Sequence, residues 1–115
     1  MNTRRYSSLQ EKTIARNLGG SVVGGSGSTP YSLGDVRTKH ILIEAKTSVT
    51  PKRSYSVKLE VIEKLRKEAV EMGKYYCALA FNFGPNTENM YVIDEDLMRY
   101  LIQKLDEDFE NCDLR

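Results

Sequence analysis

Asp35-Val36-Arg37-Thr38-Lys39-His40-Ile41-Leu42-Ile43-Glu44-Ala45-Lys46-Thr47 is the stretch on which the reading of the chain turns. Two short strands are expected there, over residues 35–38 and 40–47, with Thr38-Lys39-His40 as a tight turn between them. Side chains alternate along a strand, so Glu44 and Lys46 share one face while Ile43 and Ala45 take the other. Asp35 then lies diagonally close to Glu44 across the hairpin. Two carboxylates and one ammonium gather on one surface. Close carboxylates repel, and a hard dication such as Mg²⁺ is their natural guest, bound through one or two carboxylates plus substrate phosphate. Lys46 is then free to orient a water or to hold charge on the phosphate. The same residues also fit an ordinary exposed Glu/Lys pair, because short charge patterns recur by chance.

On the N-terminal side, residues 1–7 read as a loosely held basic arm. Ser8-Leu9-Gln10-Glu11 fits a capping box, and Leu9, Ile14 and Leu18 mark a helix that stops at Gly19-Gly20. Glu11 is either the reciprocal cap or a third carboxylate turned toward the sheet. Ser21-Val22-Val23 is a short strand. Gly24-Gly25-Ser26-Gly27-Ser28-Thr29-Pro30 follows as a flexible connector, with open amides that a phosphate could approach. It is neither a Walker A loop nor a dinucleotide fingerprint, and no organic cofactor is expected.

On the C-terminal side, Val49 to Tyr55 is a basic loop. Ser56 reads as an N-cap for a helix over 57–72, with Leu59, Ile62, Leu65, Ala69 and Met72 as the core stripe. Glu60, Glu63, Lys64, Lys67, Glu68 and Glu71 read as its solvated face. Lys58 stands near the helix start beside Lys52 and Arg53, where dipole and cations together suit a phosphate. Residues 75–83 are nearly all apolar, as in a central strand covered on both faces. A turn over 84–89 leads into a strand at Met90-Tyr91-Val92-Ile93. Asp94 caps a last helix from Glu95 to about Asp108, with Leu97, Leu101 and Leu105 inward and an acidic tail over 109–115 expected to fray. The order α-β-β-β-α-β-β-α implies an α/β fold, a small mixed β-sheet flanked by helices.

At 115 residues the chain is expected to form one domain. Residues 1–60 carry ten Lys/Arg against four Asp/Glu, a balance of +6; residues 61–115 carry seven against twelve, a balance of −5. The basic half holds the Asp35/Glu44 surface, which suits a polyanion such as DNA. No apolar run is long enough to span a membrane, and the N-terminus lacks a signal-peptide core. Cys77 and Cys112, far apart and without His partners, read as reduced thiols of a cytosolic protein. His40, alone at a turn, is neither a metal ligand nor a general base.

Glu11 on a helix, a Gly-Ser loop, then Asp35 and Glu44-Ala45-Lys46 on a hairpin resembles the PD-(D/E)XK nuclease superfamily. Within it, the chain is similar to the archaeal-type Holliday junction resolvases and their small bacteriophage relatives, over roughly residues 8–95. Glu11-Lys12 matches the family's first-helix Glu and following basic residue. Gly25-Ser26-Gly27-Ser28 matches its serine-bearing loop, and Ser56-Val57-Lys58-Leu59 with Phe81-Asn82-Phe83-Gly84 resembles the phage branch. Gly34 stands where the name motif has Pro, and Lys58 lies where many members carry a Gln on the second helix.

The resemblance implies a restriction-endonuclease-like core and an Mg²⁺-dependent endonuclease, with Mn²⁺ able to substitute. It would act as a homodimer on four-way DNA junctions in the cytoplasm, the host's if phage-encoded. Asp35, Glu44 and the Ala45 carbonyl would hold a metal, with Glu11 on that metal or a second; Lys46 would position the water. Lys12, Ser26, Ser28, Lys52, Arg53 and Lys58 would contact DNA. Two readings compete with it. One is a less selective nuclease on flaps, nicked duplex or single strands; the other is a non-catalytic DNA-binding module using the basic half.

Overall fold

A computed structural model describes the backbone of residues 3–23 and 35–111, with side chains from Arg5 onward. The element order is α1 (Thr3–Leu18), β1 (Ser21–Val22), β2 (Asp35–Arg37), β3 (Ile41–Lys46), α2 (Leu59–Glu71), β4 (Tyr76–Phe81), β5 (Met90–Val92) and α3 (Glu95–Asn111). The strands form one five-stranded sheet in the order β1-β2-β3-β4-β5. β2 pairs antiparallel with both β1 and β3, and β5 runs antiparallel to β4. β3 and β4 are parallel. That parallel pair needs a crossover, and α2 supplies it.

Alternation along β3 divides the core into two layers. Ile43 and Ala45 point to one face, where Ile14 of α1 packs on them together with Val36, Ala78 and Ala80. Leu42 points to the other, where Leu65 and Ala69 of α2 pack with Leu79. Ile14, Val36, Leu42, Leu65 and Leu79 are fully buried. Covered on both sides, β3 and β4 are apolar almost throughout. A single charged residue in the middle of β3 is therefore conspicuous.

Several boundaries differ from the sequence expectation. Helix α1 begins at Thr3, so residues 3–7 belong to a helix instead of a loose arm, and Ser8 lies inside it rather than capping it. The capping-box pattern is present, but a helical run already in progress overrides it. The helix stops at Leu18 as expected, with Gly19 at φ +70°, the left-handed turn that favours glycine. Helix α2 starts two residues late: Lys58, not Ser56, is its N-cap, with no side-chain cap bond. Leu59, placed in the core stripe by spacing, is 71% exposed. Asp94 does cap α3, accepting from the Leu97 amide at 2.9 Å. That helix runs on to Asn111, so residues 109–111 are helical and not a frayed tail. Only Leu97 of the expected inward trio is buried; Leu101 and Leu105 are exposed. Cys77 is partly buried against the α2-side core. Cys112 lies outside the described residues.

Truncation should separate the two leucines of α2. Leu65→Ala is expected to lower unfolding free energy by about 2–5 kcal/mol, and Leu59→Ala by under about 0.5 kcal/mol. Urea unfolding of the two variants checks this.

Candidate active site

The hairpin brings Asp35 and Glu44 into direct register, as cross-strand partners rather than diagonal neighbours. The turn that sets this register is closed by the Thr38 amide on the Ile41 carbonyl at 2.9 Å and the Ile41 amide on Thr38 Oγ1 at 3.1 Å. Both carboxylates lie on the α2 face, at the end where β2 enters the sheet and β3 leaves it. They are 4% and 6% exposed. Lys46, two residues on, shares their face; its Nζ meets Glu44 Oε2 at 3.0 Å. The face-sharing read from alternation is thus what the strand adopts.

Two buried acids with one neighbouring amine leave negative charge uncompensated. Glu44 takes the amine. Asp35 Oδ1 is buried with no hydrogen-bond partner. Burial pushes the Asp35 carboxyl up to about 7, with Glu44 the next largest cause, then Glu68; Lys64 opposes them and Glu11 adds a smaller push. Among the described residues, however, no three acidic, His or Cys side chains form a group that could hold a metal ion. Asp35 and Glu44 come together as a two-carboxylate pair, and Asp35 keeps an orphaned buried oxygen. That donor set suits a hard cation completed by water and phosphate oxygens. Ala45 is buried on the α1 face.

Glu68 is the residue that sequence reading missed. Assigned to the solvated face of α2, it instead lies half-buried, with Oε1 buried and unpaired and Oε2 at 3.8 Å from Lys64 Nζ. A signal existed: Glu68 follows Leu65 by three and precedes Met72 by four, so it falls on the inward stripe. A carboxylate at a core position facing Asp35 adds to the negative field there.

Beside Lys46 a cleft of about 480 Å³ is lined by Lys46, Lys52, Ser54, Tyr55, Ser56 and Lys58. It sits at the carboxyl ends of the parallel strands, where open α/β sheets bind ligands. Three amines and three hydroxyls around one cavity, at the start of α2, make an anion-binding surface. Lys52 and Lys58, singled out by composition, do meet there. Arg53 is exposed in the same loop without lining the cleft, and Lys12 is exposed on α1. Ser26, Ser28 and Gly34 lie outside the described residues.

Several contacts hold this end in shape. Gln10 Nε2 donates to the Lys46 carbonyl at 2.8 Å and to Asn89 Oδ1 at 3.1 Å, tying α1 to the end of β3. Buried Asn82 accepts from the Ser48 and Gly84 amides at 3.1 and 3.3 Å. Gly84 is at φ +142°, and a Cβ there would meet Pro51 Cα at 3.0 Å, so the basic loop is pressed onto the strand end. The Lys52 amide then donates to the Phe83 carbonyl at 2.8 Å. Tyr55 stacks on Phe81 at 4.4 Å. Its hydroxyl is pushed up by burial and by Glu44 and held back by Lys46, which places the ring among the charged groups. The His40 ring meets Tyr75 at a tilt, 5.5 Å between centroids, at the opposite strand end from the acids.

No family model, curated protein or solved structure matches the chain. The site therefore rests on its own geometry.

The raised Asp35 value has a stability consequence with a definite sign. Between the ordinary carboxyl value of 3.8 and about 7 the folded chain binds the Asp35 proton more tightly than the unfolded chain. This group's contribution therefore falls as pH rises through that window and levels off above it. Asp35→Asn is expected to remove the slope and to melt higher than wild type above neutrality. Thermal melts from acid to mildly alkaline pH check this.

Proposed function

We propose that the chain is a metal-dependent DNA endonuclease selective for branched DNA, four-way junctions above all. The observation that carries the reading is the buried Asp35/Glu44 pair, with its orphaned oxygen, set beside the Lys46, Lys52 and Lys58 cleft. The acids suit a dication and the cleft suits a phosphodiester backbone, and they share one edge through Lys46. The resemblance of Glu11, Asp35 and Glu44-Ala45-Lys46 to the PD-(D/E)XK pattern supports the same reading.

On this reading Asp35 and Glu44 hold Mg²⁺ or Mn²⁺. Bound there, the ion is a Lewis acid that activates a water and neutralises phosphate charge. The Lys46 amine, half exposed and 3.0 Å from Glu44 Oε2, would orient the water or hold charge on the scissile phosphate. Lys52 and Lys58 hold the neighbouring phosphates, and Ser54 and Ser56 can donate to them. Glu11 and Glu68 act from outside the ligand pair, raising the local negative potential that draws in the cation. Two symmetric nicks in a four-way junction need two such sites, which a two-fold dimer supplies. No helix among the described residues is long and apolar enough to cross a membrane.

The test uses four-way junctions and matched linear duplexes, with Mg²⁺ and with chelator. Expected are junction cutting that chelator abolishes and at least a roughly 100-fold loss of rate in both Glu44→Gln and Lys46→Ala, with junction binding retained. Equal cutting of junction and duplex would leave a less selective nuclease. Binding without cutting, unmoved by Glu44→Gln, would leave a DNA-binding module. Independently of activity, Mg²⁺ is expected to raise the melting temperature of wild type and not of Asp35→Asn.

A further inference from the structure

Among the described residues, hydrogen bond, ion pair, ring contact and burial tie helix α3 to the fold at its first turns. Asp94 caps it and pairs with Arg66 at 3.5 Å, Leu97 is buried, and the Tyr100 ring meets Tyr76 at 5.9 Å. Every residue from Met98 to Asn111 is exposed. At 100° per residue, Met98, Leu101, Ile102, Leu105 and Phe109 fall on one stripe. These five are 46–62% exposed. They leave on the order of 500 Å² of apolar surface uncovered on one helix face.

The pattern of that stripe says what fits it. Met98, Ile102, Leu105 and Phe109 follow intervals of four, three and four, the spacing of a two-helix seam. Both edges carry mixed charge: Glu95, Arg99 and Asp106 along one, Lys104 and Asp108 along the other. In an antiparallel pair each edge meets its own copy reversed, so Arg99 of one chain comes to Asp106 of the other. Parallel pairing would instead set the acidic stretches Asp106-Glu107-Asp108 side by side. Arg99 now pairs with Glu95 and Asp96 at 3.0 and 3.1 Å, but all three groups are exposed and can exchange partners at little expense. With its charged edges the face approaches the roughly 800 Å² per partner of a stable interface.

We infer that α3 is a self-association face, on which two copies of this chain pair antiparallel along Met98, Ile102, Leu105 and Phe109. The face lies after β5, at the Ile41 and Tyr76 end of the central strands, away from Asp35 and Lys46. Pairing there leaves the charged cleft of each copy open. The inference stands on this face alone and holds whether or not the chain cleaves DNA.

Sedimentation of the full chain at micromolar concentration tests it. Wild type is expected at twice its 13.1 kDa mass. The double variant Ile102→Asp with Leu105→Asp should sediment as a monomer, its dissociation constant raised at least about 100-fold. Melting of the sheet core should persist, since neither side chain is buried in it. Arg99→Asp should weaken association about three- to tenfold, and adding Asp106→Arg should restore it. A monomeric wild type would overturn the inference. A double variant that stays dimeric would also overturn it, by placing the interface elsewhere. Dimers without rescue by the charge exchange would overturn the antiparallel pairing.

Discussion

Asp35 opposite Glu44, two like charges side by side on adjoining strands and almost closed off from water, is the constraint around which the molecule is arranged. In water such a pair would separate; here the hairpin register holds them. Lys46 neutralises one of them through a 3.0 Å contact, and the other keeps an oxygen without a partner. Low local dielectric makes that unmet demand large, and the carboxyl responds by holding its proton to about neutrality. The orphaned oxygen sits on β2, against the buried strand β3.

The surrounding structure makes the defect tolerable by rigidity. Leu42 and Ile43 anchor β3 in the two core layers, so the strand has no freedom to twist Glu44 outward. Gln10 fixes the backbone at Lys46 from one side. Asn82 and Gly84 fix the following loop from the other, and the Tyr55 stack on Phe81 sets the wall of the cleft. Lysines 52 and 58 reach that cleft from separate segments, a loop and a helix start, so their proximity depends on this bracing. The acidic and basic halves of the site share one residue, Lys46, which pairs with Glu44 and lines the cleft.

Helix α3 follows a different logic. Sheet, α1 and α2 bury their apolar stripes within one chain, whereas α3 buries its first turn and leaves the rest bare. An amphipathic helix gains most of its stability from covering its apolar face. Among the described residues nothing covers that face. The separation between the site end and the α3 end lets one chain carry two kinds of surface without conflict.

Much of the architecture was legible in the sequence because it follows from period and punctuation. Alternation over Ile41–Lys46 sets which side chains share a face, the apolar run at 76–81 requires cover on both sides, and Gly19 and Asp94 mark helix ends. These are local properties, decided within a few residues of themselves. The pairing of Asp35 with Glu44 was nearly legible, missed by one step from diagonal to direct because turn length sets register. Spacing was silent on the partners supplied by distant segments: Glu68 of α2 against Asp35, Gln10 of α1 on the Lys46 carbonyl, Asn82 beneath the basic loop. It also assigned Leu59, Leu101 and Leu105 to a core that does not reach them. A helical stripe records that a face is apolar; what lies against it depends on where the chain folds back, and that is settled only by the tertiary structure.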